Sequence, residues 1–137
     1  MKQIIVLTAC LPILLILLLQ IAQITENYSY DRTVHRFTYQ AAEAARIEGC
    51  FTDANISDLK HKISQKTGVA EDMITITATQ NIKYRRNAYD PNALLEYKVE
   101  VPVEKIMAGA GFFGISKEQN TGCIIIEGVV SSERLSP

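Results

Sequence analysis

The residues of this sequence that could perform chemistry are scattered, and their spacing matches no known catalytic or metal-binding pattern. His35 and His61 each stand alone and no Cys-x-x-Cys pair occurs, so the sequence predicts no zinc site. A P-loop, a nucleophile elbow and an HExxH motif are absent as well. Carboxylates such as Glu43 and Asp58 fall on helix faces or near helix starts, where solvation or capping accounts for them. We therefore expect no enzymatic activity, no cofactor, no metal and no small-molecule substrate.

One motif imitates a nucleotide-binding loop. Residues 109–114 spell Gly-Ala-Gly-Phe-Phe-Gly after a predicted strand, which matches G-x-G-x-x-G. A dinucleotide site also needs a helix that begins there and an acidic residue about 20 positions later, and residues 115–122 are too short and turn-like for that helix. We interpret the motif as a flexible loop. Either it exposes Phe112 and Phe113 to a membrane or a partner, or both rings fold back into the core.

Cys50 and Cys123 are the two cysteines outside the N-terminal apolar segment. In an exported domain they could form a disulfide that closes a long loop and stabilises the fold by about 3–4 kcal/mol in the chain-entropy model. The alternative is two buried free thiols. Both alternatives stay open, because the sequence does not give the Cα separation that decides between them.

The N-terminal segment is the most informative part of the sequence. Ile4 to Leu19 carries no charge, and the next five residues add only two neutral glutamines. A bilayer core about 30 Å thick needs about 20 helical residues, so we predict a transmembrane anchor over residues 1–24. A cleaved signal peptide is the alternative, but the exit lacks a correctly spaced pair of small residues. The lipobox-like sequence ending at Cys10 precedes the longest apolar run instead of following it, so we expect no lipidation there.

Charge predicts the location and narrows the partners. Lys2 and the amino terminus precede the span, which favours an N-terminus inside the cytoplasmic membrane and a C-terminal domain outside it. The whole chain carries 14 Lys and Arg against 15 Asp and Glu, and only Lys83, Arg85 and Arg86 cluster. Because nucleic-acid binding needs a clustered basic surface, we expect membrane lipid and other proteins as partners and no nucleic acid.

Two helices are predicted after the span. Residues 25–49 form a stalk that continues the membrane helix and ends at Gly49. Its helix-packing face carries small and apolar side chains that permit close approach of a neighbouring helix or of the domain's own sheet: Val34, Phe37, Ala41, Ala44 and Ala45. The second helix is capped by Asn55 and stopped by Gly68. Its buried stripe consists of Ile56, Leu59 and Ile63.

Period-two alternation predicts three strands over residues 73–84, 95–103 and 123–130. A turn rich in Asn, Asp and Pro at residues 87–92 separates the first two. Pro102 indicates an edge position or a strand end. The last strand is apolar on both faces, which suits a central strand covered by the stalk helix. The predicted fold class is α+β: a transmembrane helix continuing into a long stalk helix, then a short helix and a three-stranded antiparallel sheet within residues 50–137.

This arrangement resembles the TadE-like minor pseudopilins of tight-adherence (Flp-type) pili and related secretion systems. The resemblance rests on the apolar span, the alanine- and arginine-bearing helix over residues 41–46, the short helix before Gly68 and the closing strands. It implies an envelope-anchored structural subunit that helps to assemble a pilus or secretion apparatus with other pilin-like proteins. The family's cleavage glycine and its glutamate have no counterpart, since no glycine precedes Gly49 and no acidic residue precedes Glu26. We therefore expect lateral packing through apolar contacts and through Gln20 and Gln23.

Two other functions stay open. In the first, the anchor tethers an α+β binding module whose Phe112-Phe113 loop or strand edge engages a conjugation or cell-wall partner. In the second, signal cleavage releases a secreted protein.

Overall fold

The structure is a computed structural model that describes residues 1–87 and 89–137. Within these described residues the chain has the predicted α+β fold, with two α-helices and a three-stranded antiparallel sheet in the order β1-β2-β3. The elements are α1 (Lys2–Glu48), α2 (Asp53–Thr67), β1 (Thr75–Ala78), β2 (Leu94–Glu104) and β3 (Thr121–Ser131). Short 3₁₀ helices lie at Glu71–Met73, Pro91–Ala93 and Ala110–Phe113.

The chain divides into two compact units. The first, the anchor unit, comprises Met1–Ser29 and Val103–Gly122. The second, the sheet unit, comprises Tyr30–Pro102 and Cys123–Pro137. Both contain part of α1, and the sheet unit contains α2, β1 and most of β2 and β3.

α1 is the one described helix that is long and apolar enough to cross a membrane. Its best 18-residue window has a mean hydropathy of 2.9 and is entirely unburied. Pro12 lies inside this helix, and no glycine interrupts it. Gly49 ends α1 as predicted, with a left-handed φ of 83° and an amide that donates to the Ala45 carbonyl at 2.8 Å.

The second helix begins three residues earlier than predicted. Thr52, not Asn55, is its N-cap, because the Thr52 hydroxyl accepts the Asn55 amide at 3.3 Å. The Asn55 side chain instead donates to the Ala41 carbonyl of α1 at 2.9 Å. Gly68 stops the helix with φ 73°, and Leu59 and Ile63 are buried as predicted.

The sheet differs from the prediction in two respects. β1 pairs with β2 only from Thr75 opposite Glu100 to Ala78 opposite Tyr97, so it is much shorter than predicted. The central strand is β2 and not the last strand, which forms an edge. Pro102 is compatible with the central strand because it lies beyond Glu100, where no β1 residue requires its missing amide.

The predicted turn at residues 87–92 is organised by Asp90. Its carboxylate accepts the Arg86 amide at 3.2 Å and the Asn92 amide at 3.0 Å, and it caps the 3₁₀ helix that begins at Pro91. Ala88 of this turn lies outside the described residues.

Candidate membrane and partner surfaces

The predicted helix-packing face of α1 lies against the sheet unit's own core. Val34, Ala41 and Ala45 are buried there, and Phe37 packs against the same core. Ala44, which belongs to the same predicted face, is exposed and lies outside this core. These buried residues therefore cannot contact a neighbouring subunit without unfolding the sheet unit, and the alternative in which the stripe contacts the domain's own sheet holds.

Thr38 and Ala42 complete this face, and the sequence pattern missed both. Thr38 is 1% exposed, and its hydroxyl has no hydrogen-bond partner among the described residues. Thr38 was missed because it is polar, although its position four residues after Val34 places it on the same face of the helix.

The C-terminal segment fastens the end of α1. The Arg134 guanidinium donates to the Glu48 carbonyl at 2.9 Å, and the Glu133 amide donates to the Arg46 carbonyl at 2.8 Å. Arg46 also forms ion pairs with Glu133 and Glu43. The hydrogen bonds that Arg46 donates to Glu133 and then to Glu43 raise the pKa of its guanidinium above the ordinary value. The bonds from Arg134 and from the Glu133 amide satisfy the Glu48 and Arg46 carbonyls, which the end of a helix otherwise leaves without partners.

In the anchor unit, the Gly-rich segment forms a 3₁₀ helix and not a nucleotide-binding turn. Gly109 and Gly114 flank Ala110–Phe113 with φ values of 68° and 75°, which only glycine adopts without strain. The amides of Phe112 and Gly114 are satisfied by the carbonyls of Gly109 and Gly111. No α-helix begins here, so the arrangement cannot present helix amides to a pyrophosphate.

Gln20 holds this loop against α1. Its amide oxygen accepts the Ala108 amide at 2.8 Å, and its amide nitrogen donates to the Ile106 carbonyl at 3.2 Å. Gln23 donates to the Asn27 side chain at 3.3 Å, and Asn27 donates to the Lys105 carbonyl at 3.3 Å. Gln20 thus uses both ends of its amide within the chain, and Gln23 uses its amide nitrogen. The expectation that Gln20 and Gln23 bond neighbouring subunits stays a prediction.

Phe112 and Phe113 do not fold back into the core. Their side chains are 80% and 54% exposed, and the two rings meet edge to face with centroids 5.8 Å apart. Beside them runs a largely apolar groove of about 520 Å³ within the anchor unit. It is lined by Ile13, Ile16, Leu17, Gln20, Met107 and Phe113.

Of the two alternatives for Cys50 and Cys123, the disulfide is not formed, and all three cysteines are free. Cys50 follows the end of α1 and is buried at 6% exposure, whereas Cys123 is exposed on β3. Since the two thiols lie in a core and on a surface, the alternative of two buried thiols is correct only for Cys50. Cys10 is exposed on α1.

The outer face of the sheet mixes charge with exposed apolar side chains. Lys98 pairs with Glu100 at 2.9 Å and with Glu127 at 3.0 Å. The hydrogen bonds that it donates to Glu100 and then to Glu127 raise the pKa of Lys98 above 10.5. Ile125 and Val129 of the edge strand are 54% and 55% exposed. These two side chains are why β3 looked like a strand buried on both faces.

Among residues 1–87 and 89–137, no group of three or more His, Cys, Asp or Glu side chains is placed to hold a metal ion. No protein-family model matches the sequence, and neither a curated protein nor a solved structure is significantly similar to the chain.

Proposed function

We propose that this chain is a single-pass, membrane-anchored structural subunit that helps to assemble a pilus or secretion apparatus, as TadE-like pseudopilins do. The proposal rests on one observation: the two halves of α1 have different environments. Its apolar N-terminal part is unburied, and its C-terminal part supplies Val34, Thr38 and Ala45 to the core of an α+β unit. Such a helix links a membrane span directly to a folded domain.

The orientation belongs to the same proposal. Lys2 and the amino terminus stay in the cytoplasm, and the sheet unit lies outside the cytoplasmic membrane. The described surface supports a subunit role, because its distinctive features are exposed apolar side chains.

Lateral assembly uses the span and not the alanine stripe. Ala41 and Ala45 are buried in the core of the sheet unit. The leucines of the span are each at least half exposed, for example Leu14 at 60% and Leu18 at 64%. Packing between spans then depends on apolar side chains and close helix contact.

The natural Cys10 provides the test. In native membranes, oxidation of a Cys123→Ser variant should crosslink Cys10 to the span of a second copy or of another pilin-like subunit that carries a cysteine at a matching depth. Cys50 is buried and cannot contribute. A cysteine moved to Leu14, one turn along the same face, should crosslink in a Cys10→Ser background.

The matched control is a cysteine at Ile13, which lines the groove beside the loop. Specific assembly predicts adducts at Cys10 and Leu14 and weaker adducts at Ile13. Monomer alone at every position would contradict assembly through the span while leaving the anchor intact.

The exposed pair Ile125 and Val129 favours a second candidate function, a tethered binding module for a conjugation or cell-wall partner. In that case a photocrosslinker at Val129 captures one defined protein, whereas a photocrosslinker at Tyr39, which is 62% exposed on α1, does not. Ile125→Asp should abolish the Val129 adduct without changing crosslinking at Cys10. Equal labelling from both positions would argue against a dedicated sheet surface.

A further inference from the structure

We propose that the loop of residues 105–117 is a second membrane-inserted element. Gln20 fastens it to the span, and its Phe112 and Phe113 enter the acyl-chain region of the leaflet that contains Gln20. The inference rests on the proposed anchoring of α1 in a bilayer. The occupant of the groove between loop and helix is a lipid acyl chain.

The order of contacts along the helix gives the depth of the loop. The apolar segment over residues 4–24 is about 31 Å long, which matches a bilayer core of about 30 Å. Asn27, just beyond it, contacts Lys105 at the stem of the loop. Gln20 lies about 6 Å inside its end, at 1.5 Å per residue, and contacts Ile106 and Ala108.

The tip of the loop lies deeper still. Phe113 lines the groove with residues from Ile13 to Gln20, and Ile13 lies about 16 Å from the end of the apolar segment at 1.5 Å per residue. The chain thus descends from a charged stem to an aromatic tip as it follows the helix inward.

The composition of the loop agrees with this depth. Residues 106–116 carry no charge, and lysines flank them at positions 105 and 117. A lysine can extend its ammonium to the headgroups while its stem stays in an apolar layer. Phe112, at 80% exposure, would otherwise present its ring to water.

At membrane depth irregular backbone must be covered by protein, and its polar groups need partners. At the stem of the loop Asn120 supplies them: its side chain accepts the Met107 amide at 2.7 Å and donates to the Met107 carbonyl at 2.9 Å. The Asn120 carbonyl accepts the Lys105 and Ile106 amides. Gln20 satisfies Ala108, so both side chains remove backbone polarity at the position where the loop meets the span.

The groove favours lipid as its occupant. Its walls are almost entirely aliphatic or aromatic, and it is continuous with the exposed surface of the span, through Ile13, Ile16 and Leu17. A soluble partner would have to reach this groove at membrane depth, whereas acyl chains surround it in any bilayer.

The absence of tryptophan makes a direct test available. Single-tryptophan variants Phe112→Trp and Phe113→Trp of the full chain are reconstituted in phosphatidylcholine–phosphatidylglycerol vesicles with brominated acyl chains. Leu17→Trp reports on the span, and Tyr39→Trp reports on the sheet unit. We expect blue-shifted emission and bromine quenching for Phe112→Trp and Phe113→Trp, comparable with Leu17→Trp, and no quenching for Tyr39→Trp.

A second pair of variants tests the fastening by Gln20. Gln20→Leu removes both hydrogen bonds to the loop and should reduce the quenching of Phe113→Trp. Thr25→Val is the matched control, because the Thr25 hydroxyl bonds only its own helix at the Ile21 carbonyl. Unchanged quenching in Gln20→Leu would overturn the fastening.

The outcomes separate the loop from the anchor. Quenching of Leu17→Trp without quenching of the two loop reporters would overturn the inference and leave the anchored function standing. If Leu17→Trp also escapes quenching, the anchor itself fails. Blue-shifted but unquenched loop reporters would place the rings in a protein interface and overturn the inference as well.

Discussion

Replacement of Thr38 by valine should stabilise the protein. Thr38 is 1% exposed in the core face of α1, and its hydroxyl oxygen has no hydrogen-bond partner among the described residues. Valine has nearly the same shape, so the packing against the sheet is retained. A buried polar group without a partner costs about 1–3 kcal/mol. Because the two residues have similar helix propensity, we expect Thr38→Val to raise the free energy of unfolding by about 1–2 kcal/mol.

The control is a threonine whose hydroxyl is paired. Thr67 donates to the Ile63 carbonyl at 2.8 Å and accepts the Val69 amide at 3.3 Å at the end of α2. Thr67→Val should therefore lower the free energy of unfolding by about 0.5–1.5 kcal/mol. The opposite signs separate the loss of an unpaired hydroxyl from a general effect of valine.

The assay is urea unfolding of the full chain in detergent, followed by the near-ultraviolet circular dichroism of the tyrosines at two protein concentrations. For a domain of this size, a stabilisation of 1 kcal/mol also raises Tm by about 4–8 °C. A destabilised or unchanged Thr38→Val protein would refute the reasoning. An effect that grows with protein concentration would place this face of α1 in a subunit interface instead of the chain's own core.

Three further changes test other parts of the sheet unit. A Cβ on Gly128 would overlap the Tyr97 ring, so Gly128→Ala should lower the unfolding free energy by about 1–3 kcal/mol in urea titrations, and an equally stable variant would contradict this packing. Burial, and then the charge of Tyr39, raises the pKa of Tyr97 above 10.0. The Tyr97 hydroxyl therefore ionises more readily in the unfolded chain, and the free energy of unfolding falls as the pH rises past 10. Thermal melts of Tyr97→Phe should show a smaller loss of stability at alkaline pH, and a pH profile identical to that of the unchanged protein would exclude Tyr97 as its source. Arg134→Ala removes the bond to the Glu48 carbonyl and should speed amide exchange at the end of α1, whereas unchanged exchange would show that this bond does not hold the helix end.

The local features of the fold follow from the sequence because their causes are local. Gly49 and Gly68 end their helices in the left-handed conformation that glycine favours. Leu95, Val99 and Val101 of β2 are buried at the alternating positions that the pattern indicates. In each case a few neighbouring residues determine the outcome.

The order of the strands could not be predicted in the same way. The last strand is apolar on both faces, but Ile125 and Val129 remain exposed because pairing puts β3 at an edge. Pairing depends on contacts between residues that lie far apart in the chain. The residue pattern of one segment therefore predicts that it is a strand, but it does not predict which strands pair with it.

The candidate membrane site was only half predictable. Phe112 and Phe113 stand out in the sequence as an aromatic pair in a glycine-rich loop, and the structure decides for exposure. The role of Gln20 is invisible in the sequence, where it is one polar residue near the end of an apolar run. Its partners Ile106 and Ala108 lie more than 80 residues away.

The most direct test of the anchored architecture is the accessibility of the three natural cysteines in intact spheroplasts. A membrane-impermeant maleimide added from outside should label Cys123, which is exposed on β3. Cys50 should react only after unfolding, because it is 6% exposed, and Cys10 should be shielded by lipid. Labelling of Cys123 only after lysis, or a purified chain that lacks Cys10, would contradict a retained span with the sheet unit outside the membrane.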